Sequence, residues 1–386
     1  MKKLFDQLQV EAENLENDLK EIIEKHSVKT VFVVSGHGYD NTDLQKFFDK
    51  YGVKVVRFSG YTSNPKYEEI CTGVKALIDA DPQLLVAVGG GSCIDSAKCI
   101  KMFAALNQNK DYMAQEMVSS DLAFLAVPTT AGTGSDGNGN IVIYRDGTKK
   151  SLHHPTAVPD YVLFEPRYLS ALPDYHKRAT LADAMDQCIE SLWANGCSEE
   201  SSYYAKEGLV LAIEHYKRYL NGDLQVYPFI QRAAYLSGRA INISKTTAAH
   251  ALSYKLSAVC NLPHGHAVQM LIVPVCRTIE LYLKSVGFKS YEHDFSEEGY
   301  SEKDKDVLRK VIVIKETLNI PNKQIGSLTE KLETIDSELA LPLPEYPGDN
   351  VIKEMVEQVN PERLLNNPIL YTKEQMIEIY LQAFKK

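Results

Sequence analysis

The sequence predicts an α/β protein of two domains: a parallel, doubly wound sheet with its helices over residues 1–178, then an all-helical domain over residues 179–386. Three observations predict this class. Short apolar runs alternate with helical patterns in the first half, as in sheets built from strand–helix–strand units. Strand signals fade after about residue 178, and the 3.6-residue periodicity of helices replaces them. The 386 residues are enough for two hydrophobic cores.

Four runs of the first half have the composition of strands in a parallel sheet, where both faces are buried. They cover residues 30–36, 54–60, 84–91 and 122–130. Helical patterns precede and separate them, over residues 9–26, 42–52, 66–81 and 93–106. Helices and strands therefore alternate up to about residue 130, which is the order of a doubly wound sheet.

The second half shows helical periodicity. The predicted helices cover residues 180–195, 199–220, 225–242, 246–258, 266–285, 303–318, 325–338, 349–358 and 373–384. The segment YEHDFSEEGYSEKDKD, residues 291–306, is strongly polar and is predicted to be a charged surface connection between helices.

The composition excludes several classes of partner. The chain has 42 Lys and Arg against 51 Asp and Glu, a net charge of −9, so it has no bulk attraction for nucleic acid or an anionic membrane. No apolar run reaches the roughly 18 residues that would span a bilayer. The seven Cys form no CxxC pair and indicate reduced thiols. We therefore expect a cytoplasmic protein that binds neither membrane nor nucleic acid.

A glycine loop follows the third strand run, in VAVGGGSCIDSAK, residues 86–98. Gly89, Gly90 and Gly91 let the backbone approach a ligand closely, and the helix that follows offers free N–H groups at its positive end. This pattern predicts a diphosphate cradle, although the spacing is neither GxGxxG nor that of a P-loop. The alternative is a tight turn that needs glycine only for its backbone conformation.

Two more loops end strand runs, where open α/β sheets bind ligands. VPTTAGTGSDG, residues 127–137, ends in small hydroxyl residues and glycines, so the two loops together favour a nucleotide. The first strand run ends in Ser35, Gly36 and His37, without the acid that commonly holds an adenosine ribose and repels a 2′-phosphate. This favours NADPH over NADH.

A possible metal site begins in TLADAMDQCIESLW, residues 180–193. Asp183 and Gln187 are four apart on one helix face, among apolar neighbours. His250 and His264 could join them from two further segments, and imidazole with carboxylate is typical of a catalytic divalent metal site. The alternatives are ordinary: Thr180 and Asp183 have capping-box spacing, a lone buried His is usually a core residue, and Gln187 could be a solvated amide.

Four motifs in order, GGGSCIDSAK, PTTAGTGSD, DAMDQCIES and LPHGHAV, resemble the iron-containing alcohol dehydrogenases, and the likeness covers nearly the whole chain. The resemblance implies a dehydroquinate synthase-like architecture with a dinucleotide domain, a helical domain and a divalent metal in the cleft between them. It implies hydride transfer between NAD(P) and a small alcohol or aldehyde, and a homodimer. By motif match it assigns metal ligands and cofactor-loop residues: Asp183, His250 and His264 to the metal, Gly89, Gly90, Gly91, Ser92 and Asp95 to the pyrophosphate loop, and Thr129, Thr130 and Ser135 to the second loop.

Two positions depart from the family pattern. The family usually has Asp-x-x-x-His, with that His as the fourth ligand, where this chain has Gln187. The family also commonly has a second His four residues after the first His ligand, where this chain has Tyr254. An amide oxygen is a weaker donor than imidazole, so the metal, Fe²⁺ or Zn²⁺, keeps three strong ligands with Gln187 as a possible fourth.

These departures are similar to the hydroxyethylphosphonate dehydrogenases, also called phosphonoacetaldehyde reductases, which reduce an anionic aldehyde. A phosphonate needs cations or N–H donors beside the aldehyde pocket. Lys245, with Thr246 or Thr247, precedes a predicted helix start and is the proposed phosphonate site, with His153 as a further candidate. The alternative for Lys245 is a solvated surface lysine.

The resemblance also frames the reaction and its rivals. A proton must reach the product oxygen from His266, Tyr254 or a water at the metal, and the expected route is a water relayed by His266. One rival is a general short-chain alcohol, aldehyde or diol dehydrogenase without an anion site. A second is a dehydroquinate synthase-like lyase with no net cofactor turnover, and a third is a nucleotide-binding protein whose metal site has decayed.

Overall fold

The computed structural model describes residues 1–4, 6–292, 295 and 299–385, with backbone only for residues 2–4. The chain divides into two compact units. The first contains Met1–Leu172 with Gly222–Gln231, and the second contains Pro173–Asn221 with Arg232–Lys386.

The first unit is built on a seven-stranded sheet of order β1-β2-β9-β6-β5-β3-β4, with a separate hairpin of β7 and β8. The strands are β1 Lys2–Leu4, β2 Gln7–Glu11, β3 Thr30–Ser35, β4 Lys54–Phe58, β5 Leu84–Gly89, β6 Ala123–Pro128, β7 Asn140–Arg145, β8 Thr148–His153 and β9 Tyr161–Phe164. Only β1 pairs antiparallel within the large sheet; β2, β9, β6, β5, β3 and β4 are parallel. The predicted α/β class with a parallel sheet is confirmed.

Helices cover both faces of this sheet: α1 Leu15–Lys25, α2 Leu44–Lys50, α3 Tyr67–Ala80 and α4 Gly91–Ala104. Alternate residues of the central strands enter two separate cores. Phe32, Leu85 and Phe124 lie in the core that α3 and α4 complete, and Val33 and Val86 lie in the core of α1 and α2. Burial on both faces explains why β3, β5 and β6 are apolar without alternation.

Three features of the first unit were missed or misassigned by the sequence patterns. The predicted helix over 9–26 was wrong at its start, because Gln7–Glu11 is β2, paired with β9, and α1 begins only at Leu15. Strand β9 was not predicted, because four residues are too few to show the periodicity of a strand. The β7–β8 hairpin was not predicted; it turns at Asp146 and Gly147, both with positive φ, although such an Asp-Gly pair between strands is a hairpin signal.

The second unit is helical, as predicted. Its helices are α5 Asp174–Trp193, α6 Glu199–Leu220, α7 Tyr227–Ser244, α8 Ala248–Cys260, α9 His264–Ser285, α10 Glu302–Thr317, α11 Ser327–Leu339, α12 Asp349–Glu357, α13 Pro361–Leu364 and α14 Lys373–Ala383, with the first residues of α7 in the other unit. Helix α5 begins six residues before the predicted start. Thr180 therefore lies inside it, donating its hydroxyl to the His176 carbonyl, and the capping-box alternative for Asp183 is wrong.

The predicted connection over 291–306 falls partly on residues 293, 294 and 296–298, which lie outside the described residues. Its end is helical instead: α10 begins at Glu302, where Ser301 and Asp304 form a capping box. None of the helices in the described part of the chain is both long and apolar enough to cross a membrane.

Candidate active site

Three of the predicted metal ligands lie together in the second unit. Asp183 lies in the middle of α5, His250 in α8, and His264 is the first residue of α9. One ligand atom from each lies within 4.8 Å of the other two. His250 Nε2 faces Asp183 Oδ1 at 3.4 Å, and neither atom has a hydrogen-bond partner among the described residues, although both are buried. A buried imidazole nitrogen and carboxylate oxygen left facing each other fit a divalent cation.

Gly265 explains how α9 brings His264 to this place. A Cβ on Gly265 would lie 2.1 Å from the Ala179 carbonyl oxygen and 2.7 Å from Asp183 Cβ. Only glycine therefore permits the first turn of α9 to approach α5 this closely. The close approach of the two helices sets the ligand at residue 264 beside the ligand at residue 183.

Glu190 lies behind His250 and is fully buried. One of its oxygens is hydrogen bonded to His250 Nδ1, and the other accepts from the Thr247 hydroxyl at 2.6 Å and from the Ala249 N–H at 2.9 Å. Because a carboxylate only accepts, His250 Nδ1 must carry the proton, and Nε2 is the nitrogen directed to the metal. This is the carboxylate–histidine arrangement that orients metal ligands.

The charges of this cluster are coupled. Burial disfavours the charged imidazole of His250, but Glu190 and Asp183 outweigh it and raise its pKa to about 10. Burial likewise raises the pKa of Asp183, but His250, His264 and the Gln187 amide bring it below its ordinary value. The ring of His250 lies between these two carboxylates, so a divalent ion held there would take the place of the proton on Nε2.

Gln187 lies one turn after Asp183, with its amide oriented by a neighbouring helix. The Ser237 hydroxyl of α7 lies 2.9 Å from Gln187 Oε1 and 2.8 Å from the Ala234 carbonyl, and its one proton serves one of these two acceptors at a time. The amide NH₂ is then the group beside Asp183, where it contributes to lowering the pKa of that carboxyl. In this arrangement Gln187 is a donor to a ligand, and the predicted use of its oxygen as a fourth ligand would require the amide to rotate.

The first unit brings the two glycine loops against each other. The first glycine loop, Gly89–Ser92, joins β5 to α4, and a Cβ on Gly91 would lie 2.6 Å from the Thr133 hydroxyl of the second loop. Thr129 N donates to the Gly89 carbonyl at 3.1 Å. The N-terminus of α4 and the glycine backbone provide the N–H groups that suit a diphosphate.

Asp95 and Ser135 connect these loops, and their contact with the cofactor remains a prediction. The Ser135 hydroxyl donates to one Asp95 oxygen, and the other oxygen accepts from Val142 N at 3.0 Å. Lys98, fully buried, donates to the Ser135 hydroxyl at 2.7 Å and to the Asn140 carbonyl at 3.0 Å. Burial lowers the pKa of Lys98 to about 8, with Asp95 opposing. The polar groups of Asp95 and Ser135 are thus used to shape the second loop.

The third predicted loop carries a charge pair that the sequence did not suggest. The Gly36 N–H donates to the Tyr61 hydroxyl at 3.0 Å, and the Gly36 carbonyl accepts from Arg57 at the end of β4. Arg57 also pairs with Asp40 at 2.5 Å. The end of β3 therefore has both an acid and an arginine nearby, and the choice between NADPH and NADH remains a prediction.

Comparison with known proteins agrees with this arrangement. Residues 10–166 match the family described as iron-containing alcohol dehydrogenase, and residues 178–384 match the C-terminal part of the Fe-containing alcohol dehydrogenase family. The chain belongs to the iron-containing alcohol dehydrogenases. It is an oxidoreductase, and the cofactors of this family are a divalent metal and NAD(P).

Individual relatives of this iron-containing alcohol dehydrogenase are distant. Alcohol dehydrogenase 4 of Saccharomyces cerevisiae is 24% identical over 350 residues, which cover 89% of this chain and 86% of the yeast protein. Phosphonoacetaldehyde reductase of Streptomyces viridochromogenes is 31% identical over 226 residues, 55% of this chain and 56% of that protein. The solved iron-containing alcohol dehydrogenase of Thermococcus thioreducens matches all of both chains with a TM-score of 0.83 at 22% identity, which supports the dehydroquinate synthase-like fold.

The two candidate proton donors of the dehydrogenase lie in different surroundings. Tyr254 stacks on His264, with ring centroids 5.8 Å apart and planes 10° apart. Burial raises the pKa of Tyr254, so it keeps its proton. His266 is two residues beyond His264, so the two rings point to different sides of α9. Its Nδ1 is hydrogen bonded to the Tyr175 hydroxyl at 2.8 Å.

The predicted phosphonate residues belong to different units of the chain. Lys245 and Thr246 lie in the turn between α7 and α8, and Lys245 Nζ donates to the Asn242 carbonyl at 2.9 Å. Thr247 is buried and its hydroxyl donates to Glu190, the carboxylate behind His250, and its role as a substrate contact remains a prediction. His153 lies in the first unit, on β8, hydrogen bonded to Asn140.

Three functional candidates were absent from the sequence reading. Glu190 is seven residues after Asp183, and this helical spacing could have indicated it. Ser237 has no motif of its own. Arg363 gave no signal at all, since it lies 109 residues from Tyr254, whose hydroxyl accepts from its Nη1 at 2.7 Å.

Proposed function

We propose that this iron-containing alcohol dehydrogenase reduces phosphonoacetaldehyde to 2-hydroxyethylphosphonate with NADPH or NADH. The reaction type is supported by the cluster of Asp183, His250 and His264, in which the buried and unpartnered Asp183 Oδ1 and His250 Nε2 face each other. The substrate is supported by the 31% identity to a phosphonoacetaldehyde reductase, over about half of each chain. The fine substrate assignment rests on this observation together with the motifs around Gln187 and Tyr254.

The residues of the chain hold and orient the reacting groups. When bound, the metal supplies a Lewis acid at the aldehyde oxygen and the reduced nicotinamide supplies the hydride. Asp183, His250 and His264 would hold the ion, and Glu190 keeps the His250 ring in the tautomer that leaves Nε2 available. The first glycine loop and the N-terminus of α4 would hold the diphosphate of the cofactor.

The reduction also needs a proton at the new hydroxyl oxygen. We propose Tyr254 as its source, because the ring lies against His264 and burial keeps the phenol protonated. Arg363 donates to the Tyr254 oxygen, which favours release of the phenolic proton to another acceptor. His266 is less suited, because its Nδ1 is bonded to Tyr175 and its ring points away from His264.

The first test is oxidation of NADPH and NADH by the protein loaded with iron(II) or zinc, or without metal, followed by absorbance. Phosphonoacetaldehyde is compared with neutral propionaldehyde and lactaldehyde. We expect a preference of about a hundredfold in kcat/KM for the phosphonate, roughly what one good charged contact supplies. Equal activity on neutral aldehydes would overturn the substrate assignment and leave a general alcohol dehydrogenase.

The cellular setting is proposed with the same function. The seven cysteines are all free, which is typical of a reducing compartment, and we propose the cytoplasm. A homodimer is proposed from the family resemblance, and light scattering of the purified protein tests it.

A further inference from the structure

We infer that Arg363 is the residue that selects an anionic aldehyde, by pairing with the negative group of the substrate while the aldehyde oxygen meets the metal site. The inference rests on the proposed function and assigns its specificity to a side chain that no motif indicated. Lys245, the residue expected from the sequence, becomes an auxiliary cation.

The first step places Tyr254 at the metal cluster. Its ring is nearly parallel to that of His264, with centroids 5.8 Å apart. The centroids of the His264 and His250 rings are 5.2 Å apart. Tyr254 is therefore in direct contact with one ligand, and whatever packs on Tyr254 lies in the next layer around the site.

The second step places a guanidinium in that layer. Arg363, in the short helix α13, donates from Nη1 to the Tyr254 hydroxyl at 2.7 Å, and its Cζ lies 4.9 Å from the centre of the same ring. The side chain is thus held by both a hydrogen bond and a cation–π contact. Arginine carries a fixed positive charge and N–H donors in a planar fork that matches phosphonate, carboxylate and sulfonate oxygens.

The third step joins Arg363 to the residue that the sequence favoured. Asn366, three residues after Arg363, donates to the carbonyls of Ser244 at 2.8 Å and Thr246 at 3.0 Å. The two carbonyls flank Lys245. These hydrogen bonds join the segment that carries Arg363 to the turn that carries Lys245. Both cations therefore lie near the start of α8.

The chemistry of the substrate fits this neighbourhood. In phosphonoacetaldehyde one carbon separates the aldehyde group from the phosphonate, so the anion must lie close to the metal cluster when the aldehyde oxygen is there. A cation next to a ligand-stacked ring meets that requirement, whereas a neutral aldehyde gains nothing from it. The planar fork of a guanidinium suits the oxygens of an anion better than the single ammonium of Lys245, so Arg363 is the better partner.

The test compares substrates in the metal-loaded full chain. We measure kcat/KM for phosphonoacetaldehyde, sulfoacetaldehyde and propionaldehyde in the wild type, Arg363→Met and Arg363→Lys, and the affinity for 2-hydroxyethylphosphonate by calorimetry. We expect Arg363→Met to lower the ratio of anionic to neutral kcat/KM by about a hundredfold, mainly through KM, and to weaken product binding similarly. Arg363→Lys should keep part of the substrate preference and part of the product affinity, because lysine keeps the positive charge but lacks the planar guanidinium.

Arg309→Met is the matched control. Arg309 also lies over an aromatic ring, that of Phe295 at 4.8 Å, and pairs with Glu302 at 3.6 Å, so the variant removes the same charge from a similar contact. It should leave the substrate ratio unchanged. Circular dichroism and the thermal midpoint show whether Arg363→Met folds, and Arg363→Lys serves if it does not.

The outcomes separate the inference from the proposed function. If the wild type prefers the phosphonate and Arg363→Met keeps both the preference and the product affinity, the inference falls and the function stands. If the wild type prefers sulfoacetaldehyde and Arg363→Met loses that preference, the inference stands and the substrate assignment falls. If the wild type prefers neutral aldehydes and binds no phosphonate product, both fall.

Discussion

Glu190 is the buried carboxylate on which the geometry of the metal site depends most directly. Its oxygens bond the ring of His250, the hydroxyl of Thr247 and the backbone at the start of α8. A single side chain thus sets both the tautomer of a ligand and the position of the helix that carries it. Removing its charge should weaken metal binding more than it lowers the stability of the fold.

We predict that Glu190→Gln weakens metal binding about tenfold to a hundredfold, the usual effect of changing a partner behind a ligand. The amide keeps the size of the group, but it loses the charge that holds the Nδ1 proton of His250. Competition with a chromogenic chelator measures the affinity. Glu280→Gln is the control, because Glu280 is also buried, bonded to Tyr291 and Thr329, without contacting the ligands; equal losses in both variants would contradict the prediction.

Gln187→His should tighten metal binding by about tenfold or more, because imidazole is a stronger donor than an amide oxygen and residue 187 lies one turn from Asp183. Gln187→Met, of similar size but without such a donor, should give no gain. The same competition experiment measures both. Unchanged affinity in Gln187→His would show that this side chain does not face the metal.

Asp136 gives a pH-dependent prediction. Burial raises the pKa of its carboxyl from 3.8 to about 6, with a backbone hydrogen bond and Lys98 opposing. The folded state therefore binds this proton more tightly than the unfolded state, and the contribution of Asp136 to stability is present below about pH 4 and lost as the pH rises through 6. Asp136→Asn should thus gain stability relative to wild type over this range, by roughly 1–3 kcal/mol at pH 7.

Urea unfolding at pH 4, 5, 6 and 7 measures this difference. Asp146→Asn is the control, since Asp146 is exposed and asparagine tolerates its positive φ. A difference between Asp136→Asn and wild type that is constant across these pH values would contradict the assignment.

At the scale of elements, the contact of α5 with the start of α9 determines whether two ligands meet. Gly265 is the point of closest approach, and the atom that a methyl group would strike is a backbone carbonyl, which cannot rotate away. This backbone contact cannot relax by a change of rotamer, as a contact between side chains can. The relative position of α5 and α9 therefore determines where two of the proposed metal ligands lie.

We predict that Gly265→Ala lowers stability by about 3 kcal/mol or more, because the added methyl group overpacks a backbone contact. It should also weaken metal binding, because α9 must move away from Asp183. Thermal unfolding and metal competition measure the two effects. Gly38→Ala, whose methyl group would meet nothing nearer than 3.6 Å, should leave metal affinity unchanged; metal affinity retained in Gly265→Ala would contradict the role of this contact.

The elements also show where sequence patterns succeed and fail. The runs at β3, β5 and β6 are apolar because both faces are buried, so their burial could be predicted from composition alone. Strand β2 was hidden inside a helical pattern, because its pairing partner β9 lies about 150 residues away. Helix α5 was placed too late because its first turns are polar.

At the scale of the molecule, the metal ligands all belong to the second unit, and the glycine loops all belong to the first. The grouping of Asp183, His250 and His264 could be anticipated from the family motifs. Glu190 could have been indicated only by its helical spacing from Asp183, and Ser237 and Arg363 could not be predicted, because their partners lie 50 and 109 residues away in sequence. Contacts of this range depend on the packing of whole helices.

Metal removal should therefore act unevenly on the molecule. We predict that chelation increases amide hydrogen exchange in α5, α8 and the first turns of α9, and lowers the free energy of unfolding by about 2.7 kcal/mol relative to protein with metal at a hundred times Kd. Helix α1, which has no ligand, should change little. Exchange that rises equally in α1 and α8 would contradict the assignment of the ligands, and added zinc or iron(II) should restore the protected pattern.

The amide at residue 187 has a consequence for the evolution of this enzyme. Glutamine and histidine codons differ only in the third base, so a single point mutation would supply the imidazole of the family motif. Every large population of cells that carries this gene samples that change. If tighter metal binding were the only effect, cells grown for many generations with scarce metal should acquire histidine at residue 187. If residue 187 remains glutamine under these conditions, a fourth ligand lowers turnover.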